Sequence, residues 1–380
     1  MGGMALQLAG FIKGVRYQPT LIKDLPSYAL TGFDINAAAS SGIIAVGEGD
    51  ILSYCKWKTP KRTRIYPFAR VYNIYHLNTK QIAVIPIIKD EGAGTQNLDR
   101  INFITYSWMN LLNVYIILAW YDDASIRLHE PGRVKDQRLE ADFVRARLVE
   151  LQNYRASALH WNKMHFERDF EHVFHNAVES YRRIEIEKGA RFHRIESNLH
   201  VLNTYMENGA FSIAAFKANS LPRSEQAARR EIQTMHQHER VQAGAKGLFT
   251  ISNYLGGEYH LTADEVFQEA DHLIIQESKQ GSGKLPALDD IKDGLFKLIL
   301  FANLETLLLN GKPVDFKARL NLTGNLMGEL RLPGDAGAIE RFCAQNQFTL
   351  RQSRLVRALD TEARANSGLN IRFGRAHDSL

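Results

Sequence analysis

The sequence predicts an α/β chain of the α+β kind, with a mostly helical α/β N-terminal region followed by a mixed sheet flanked by helices. Three observations predict it. Thr262 to Lys279, TADEVFQEADHLIIQESK, reads as two strands about a polar turn, with an apolar centre at Leu273-Ile274-Ile275. Behind it, in LPALDDIKDGLFKLILFANLETLLLNG, a helix from Leu288 to Leu309 places Ile291, Leu295, Leu298, Ala302 and Leu308 near one face, with Gly311 as a stop. Asp315 to Thr323 then alternates: Phe316, Ala318, Leu320 and Leu322 point inward, and Lys317, Arg319, Asn321 and Thr323 point outward.

The bulk numbers bound this reading. At 380 residues the chain suits two ordinary domains or one elaborated domain. A composition of 45% hydrophobic, 23% charged and 10% aromatic residues excludes disordered and collagen-like classes. The net charge of +5 fits a nucleic-acid partner. Two distant cysteines, Cys55 and Cys343, form neither a disulfide framework nor a zinc pattern, which points to a reducing cytoplasm. MGGMALQLAGFIKG lacks the apolar core of a signal peptide, and NVYIILAWY is too short to span a bilayer, so no membrane association is expected.

From Met1 to Gly49 the signals are weak. Cys55 to Tyr72, CKWKTPKRTRIYPFARVY, sets Lys56, Lys58, Lys61, Arg62 and Arg64 among Trp57, Tyr66 and Phe68 with no acid between them. Cations on phosphates with aromatics beside them would make a DNA-contacting stretch; the bland alternative is a solvated loop whose aromatics enter the core. Arg70–Tyr75 and Gln81–Lys89 read as a β-hairpin, Leu98–Leu112 as a helix and Asn113–Tyr121 as a buried strand. Lys89, Asp90 and Glu91 could form a second catalytic cluster, but Ile87 stands where a metal-binding carboxylate is needed, so scaffold is the better reading.

Lys135 to Lys188 is free of Pro and Gly and dense in Glu, Arg and Lys, the pattern of helices. His172 and His175 there are i,i+3, but no third ligand is evident. KANSLPRSE, 217–225, is the clearest punctuation: Ser220 to Pro222 breaks the helical pattern, Ser224 can cap the next helix, and a domain boundary is expected nearby. Glu225 to Gln242 reads as that polar helix, carrying Glu231 and Glu239. QGSGK, 280–284, is no Walker loop: Ser278 occupies the upstream glycine position and Leu285 follows Lys284, so no nucleotide cofactor is expected. The tail from Asp335 reads as one or two helices and a basic, polar end.

Folding the hairpin about Glu269-Ala270-Asp271 pairs Gln268 with His272 and lands Asp264 opposite Gln276, next to Glu277. Lys279 lies two residues on, on the same face as Glu277. Asp271 cannot replace Asp264, because six residues of strand would separate it from Glu277 by roughly 20 Å. Two carboxylates and a lysine so arranged make a Mg²⁺ site with an ammonium beside it.

The order helix, strands, hairpin with Asp264 and Glu277-Ser278-Lys279, helix, strand resembles the catalytic core of the PD-(D/E)xK nuclease superfamily. It is most similar to a type II restriction endonuclease, because a large region precedes the core. The resemblance covers roughly 224–328; Ala263 stands where the family has proline. It implies a restriction-endonuclease-like mixed sheet, with an N-terminal DNA-recognition or accessory domain over 1–220, a catalytic domain over 221–345 and a C-terminal tail over 346–380. It also implies Mg²⁺ held by Asp264, Glu277 and the carbonyl of Ser278, with Lys279 positioning or deprotonating water. A helix acid, Glu239 or Glu231, would assist. The expected activity is sequence-specific cleavage of double-stranded DNA by a homodimer. The alternatives are a structure-specific, repair or modified-DNA nuclease, or a catalytically silent DNA-binding protein on the same frame.

Overall fold

The computed structural model describes residues 6–47, 50–57, 68–92, 98–193, 195–235 and 245–375. The chain is mixed α/β and falls into two units, one of residues 24–224, the other of 1–23 together with 225–380.

In the first unit a five-stranded sheet runs in the order Ser27–Ala29, Ser41–Ala45, Ile51–Lys56, Lys80–Pro86, Tyr115–Ala119. Only the second and third strands pair antiparallel. The runs AVIP and YIILA are continuously apolar because both faces of these parallel strands are buried. The long helix Ala158–Lys188 covers the edge strand with side chains. Trp161 Nε1 donates to the Ile116 carbonyl (2.8 Å), while Asn162 Oδ1 and His165 Nε2 accept from the Ile116 and Leu118 amides (2.7 and 2.9 Å). An edge that would otherwise present bare backbone groups is thereby satisfied.

Local readings shift here. Phe68–Tyr75 is a helix rather than a strand, burying Val71, Tyr72 and Ile74. Leu98–Arg100 is a short strand before the helix Phe103–Leu111, and Lys135–Leu139 belongs to a strand rather than to the helical stretch, which comprises Ala141–Asn153 and Ala158–Lys188.

The second unit is built on nine strands: β1 (Leu6–Ile12), β2 (Ala245–Asn253), β3 (Glu258–Glu269), β4 (His272–Gln280), β5 (Thr306–Leu309), β6 (Lys312–Pro313), β7 (Phe316–Gly324), β8 (Leu330–Leu332) and β9 (Leu369–Arg375). Its helices are α1 (Leu288–Ala302), α2 (Ala336–Gln345) and α3 (Leu350–Ala365). The sheet order is β6-β5-β1-β2-β3-β4-β7-β9-β8. β2, β3 and β4 form an antiparallel meander, then β4–β7 and β7–β9 pair parallel, the first of these through the α1 crossover. Ala318, Leu320 and Leu322 are fully buried on the α1 face, alternating as the sequence requires. Arg319 and Asn321, expected outward, face the other side of the sheet but are themselves only 7% and 8% exposed.

These elements correct three readings and supply one that the sequence left open. The expected helix to Leu309 ends at Ala302, because Thr306–Leu309 pairs with β1. The N-terminal stretch supplies β1, parallel to β2. The tail carries two helices, as expected, but 369–375, read as part of a basic, polar end, is β9 inside the sheet; 376–380 lie outside the described residues. Finally, Ile213–Met235 is one helix that passes through Pro222, so Ser224 stands within a helix and not at the start of one. No helix among the described residues is long and apolar enough to cross a membrane.

Candidate functional site

The hairpin turns on two residues, Ala270 and Asp271, so Glu269 pairs with His272 and Gln268 with Leu273. Ala270 adopts a positive φ of 50° at the first turn position, the geometry that a tight hairpin needs and that glycine usually supplies. This corrects the expected three-residue turn by one register step. The ladder runs to Glu265–Gln276, and Asp264 and Glu277 are the next residues along the two strands. Glu265 and Gln276, bonded to each other, lie on the opposite face.

A bulge refines the aim of Asp264. β2 pairs Ala245 with Val266 and Gly247 with Ala263, so three steps on β3 answer two on β2, and the extra residue falls at Asp264–Glu265. Such bulges bend a strand and redirect a side chain. Gly247 permits the close approach, since a Cβ there would lie 2.5 Å from both the Phe249 ring and Val266 Cγ2.

Helix α1 packs behind the hairpin with Ile291, Leu295, Leu298 and Ile299 buried, and Asp289 and Asp290 in its first turn complement the helix dipole. Its facing residues complete the site. Glu277, 4% exposed, takes an ammonium on each oxygen: Lys279 Nζ on Oε1 at 2.9 Å and Lys297 Nζ on Oε2 at 2.6 Å. Lys279 also stands 3.8 Å from Asp293 Oδ2. Gly294 gives the lysine room, because a Cβ would sit 3.0 Å from Lys279 Cε and 2.7 Å from Leu320 Cδ1. Asp264 Oδ2 accepts from the Ser278 amide at 2.8 Å.

The carboxylates are therefore unequal. Burial, and then the Glu277 charge, push Asp264 up to about 6, against the smaller pull of Lys297, the Ser278 amide and Lys279. Burial also acts to raise Glu277, but Lys297 and Lys279 outweigh it and hold that carboxyl below its ordinary range. Lys279 is lowered by burial yet ends above its ordinary value, because Glu277 and Asp293 favour the ammonium. Asp264, Glu277 and Asp293 face Lys279 and Lys297, three potential negative charges against two positive. Asp264 is the carboxylate raised toward 6, and a cation beside it would favour its ionised form.

Among the described residues no group of three or more His, Cys, Asp or Glu side chains is arranged to hold a metal. Asp264 and Glu277 supply two carboxylates, so further ligands would be the Ser278 carbonyl and water. Magnesium, which keeps several waters and needs only one or two carboxylates, suits such a sparse donor set.

The other expected residues fare differently. Lys56 is buried and donates to the carbonyls of Ile35, Ala38 (2.5 Å) and Asn36 (3.5 Å), so its ammonium ties down a loop instead of facing phosphate. Lys58, Lys61, Arg62 and Arg64 lie outside the described residues, as do Glu239 and the side chain of Glu231. Asp90 is fully buried and accepts from Gly92 N, His193 N and His193 Nδ1, each at 2.9 Å, a structural use consistent with scaffold. His172 and His175 are both exposed on the long helix.

Sequence reasoning missed Lys297 and Asp293. Their i,i+4 spacing on α1, with Gly294 between them, is the signal that was there to use. No protein-family model, curated protein or solved structure matches this chain.

Proposed function

We propose that this protein is a Mg²⁺-dependent double-stranded DNA endonuclease of the PD-(D/E)xK type, acting in the manner of a type II restriction enzyme. One observation carries the reading. The hairpin brings Asp264, Glu277 and Lys279 together, with Asp264 raised to about 6 by burial and by the neighbouring carboxylate. The helix, meander, α1 crossover and parallel β7 also follow the order on which the resemblance rests. The bulk charge of +5 suits a DNA partner. Cleavage of both strands calls for two sites, hence a homodimer.

Asp264, Glu277 and the Ser278 carbonyl would hold the cation, which when bound neutralises phosphate charge and acidifies water. In an extended strand a residue's N–H and C=O face the same neighbour, so the Ser278 carbonyl is directed, like its amide, toward Asp264. Asp264, raised to about 6, would have to be ionised to serve as a ligand. Lys279, an ammonium with its pKa raised, donates to the scissile phosphate oxygens or orients the attacking water, and becomes a competent base only after Glu277 lets it go. Lys297 holds the second Glu277 oxygen, which a bound cation would have to share or displace.

The test is cleavage of long unmethylated duplex DNA by wild-type protein, Lys279→Ala and Asp264→Asn, with Mg²⁺ or with EDTA. Discrete fragments requiring Mg²⁺ and both residues are expected, and a smear would indicate a less selective nuclease. A second reading, a catalytically silent DNA-binding protein, draws on the occupation of both Glu277 oxygens by ammonium groups. Tight, salt-sensitive DNA binding without cutting would favour it.

A further inference from the structure

The face of the sheet turned away from α1 has its own charge pattern. Because Glu277 pairs with Leu320 on the α1 side, alternation puts Lys317 and Arg319 of β7 on the other side together with Arg372 of β9, and β8 adds Arg331 opposite Arg372. These four cations line a cavity of about 310 Å³ beside the hairpin turn, with Ile274, Leu332 and Pro333 as apolar wall. The floor is Arg319, whose side chain is 9% exposed and whose guanidinium carbon lies 5.6 Å from the Phe267 ring centroid.

The cations are only partly neutralised. Glu269 bridges Arg319 and Arg331 (2.8 Å to the latter), and Glu329 takes Arg372. Four positive charges against two negative leave an excess of two. The Lys317 side chain, half-buried on the wall, has no hydrogen-bond or ion-pair partner among the described residues. Arg372 spends one further donor on Asn321 Oδ1 at 3.2 Å, and each guanidinium retains donors in a planar fork.

We propose that this cavity binds a phosphomonoester. A dianion matches the excess charge, planar forks match phosphate oxygens, and a volume worth roughly ten waters suits a small ligand of nucleotide size. The apolar wall would receive the non-phosphate part. The phosphate can belong to a free nucleoside monophosphate or to the 5′ end of a DNA strand, which present the same group. The site uses neither Asp264, Glu277 nor Lys279 and lies by the turn, at the other end of the hairpin and on the other face. It therefore stands apart from the proposed cleavage site.

Calorimetric titration of the full-length protein in EDTA tests it, with inorganic phosphate, a deoxynucleoside 5′-monophosphate, the matching nucleoside, and an oligonucleotide with 5′-phosphate or 5′-hydroxyl. Binding that requires the phosphate and weakens at least about tenfold in Lys317→Glu, the size of one lost charge-assisted contact, is expected. Lys317→Met, which keeps the aliphatic stem, serves if charge reversal impairs folding. Tighter binding of the 5′-phosphorylated strand than of the monophosphate assigns the strand end as the source, and the reverse order assigns the free nucleotide. Absence of phosphate-dependent binding, or equal affinity of wild type and both Lys317 variants, overturns the proposal.

Discussion

Each unit buries a cluster of carboxylates and cations, and the two clusters are in opposite electrostatic states. In residues 24–224, Asp169 Oδ2 accepts from His165 Nδ1 at 2.6 Å and from Arg168 Nη2 at 2.8 Å, with Arg147 Nε at 3.6 Å. Arg147 and Arg168 go on to Glu150, so two arginines answer two carboxylates. Burial acts to raise Asp169, but His165 and Arg168 outweigh it and hold the carboxyl far below its usual range. Burial keeps His165 neutral, pushing its pKa down, with Leu118 N bonded to its other nitrogen. Each side chain has a partner of opposite kind, although Arg147 Nε itself makes no hydrogen bond among the described residues. In the second unit Asp264 has, among the described residues, the Ser278 amide as its donor; it faces Glu277 and is pushed up to about 6. The satisfied cluster is architecture. The unsatisfied one is where a cation could be received, and perturbed groups of this kind concentrate at functional sites.

The largest effect expected is on chemistry. Lys279→Ala should lower DNA cleavage by about 10²–10⁴-fold, the usual worth of a positioned proton-transfer group, without a matching loss of thermal stability. Cleavage unaffected by that change would remove the distinction between the clusters. Asp169→Ala should do the reverse, costing about 1–3 kcal/mol in denaturant unfolding, because it leaves the buried His165 Nδ1 without its partner while the arginines keep Glu150.

A third contrast lies in pH. Asp264 titrates near 6 in the folded chain against an ordinary 3.8, so the native state binds the extra proton between those values. Stability from this group is thus present below about pH 4 and lost as pH rises through 6, a swing on the order of 2–3 kcal/mol. Asp264→Asn should accordingly be more stable than wild type at pH 8 and nearly equal to it at pH 4, measured by urea unfolding. Asp169, lowered instead, stabilises at neutral pH and loses that contribution only as pH falls below about 4. The smallest expected effect is that of Lys297→Met, which frees one Glu277 oxygen. Divalent-cation affinity should rise a few-fold, about 1 kcal/mol, while cleavage falls. Unchanged affinity would show that Lys297 does not screen the site.

The contrast also explains what was legible in the sequence. Glu277 and Lys279 share a face by strand alternation, and the hairpin turn brings Asp264 near them, its aim set by a bulge that the sequence does not announce. Their register was off by one, since nothing in Ala270 announces the positive φ that shortens the turn. Lys297 escaped because an amphipathic pattern draws the eye to the buried stripe, whereas Lys297 reaches Glu277 from that stripe's flank. β9 was readable in principle: Leu369, Ile371 and Phe373 alternate and are buried, but interleaved arginines made the segment look like a tail. β1 was beyond reach, because its pairing partner lies more than 230 residues away. Lys56 misled for the same reason, since loop carbonyls can consume a cation that sequence displays as free.

The most direct test is thermal unfolding without DNA, titrating Mg²⁺ into wild-type protein and Asp264→Asn at pH 8 and pH 5. The account predicts a saturable rise in Tm at pH 8 that shrinks at pH 5, where Asp264 is protonated, and disappears in Asp264→Asn. No Mg²⁺-dependent rise in the wild type, or an equal rise in the variant, would contradict it.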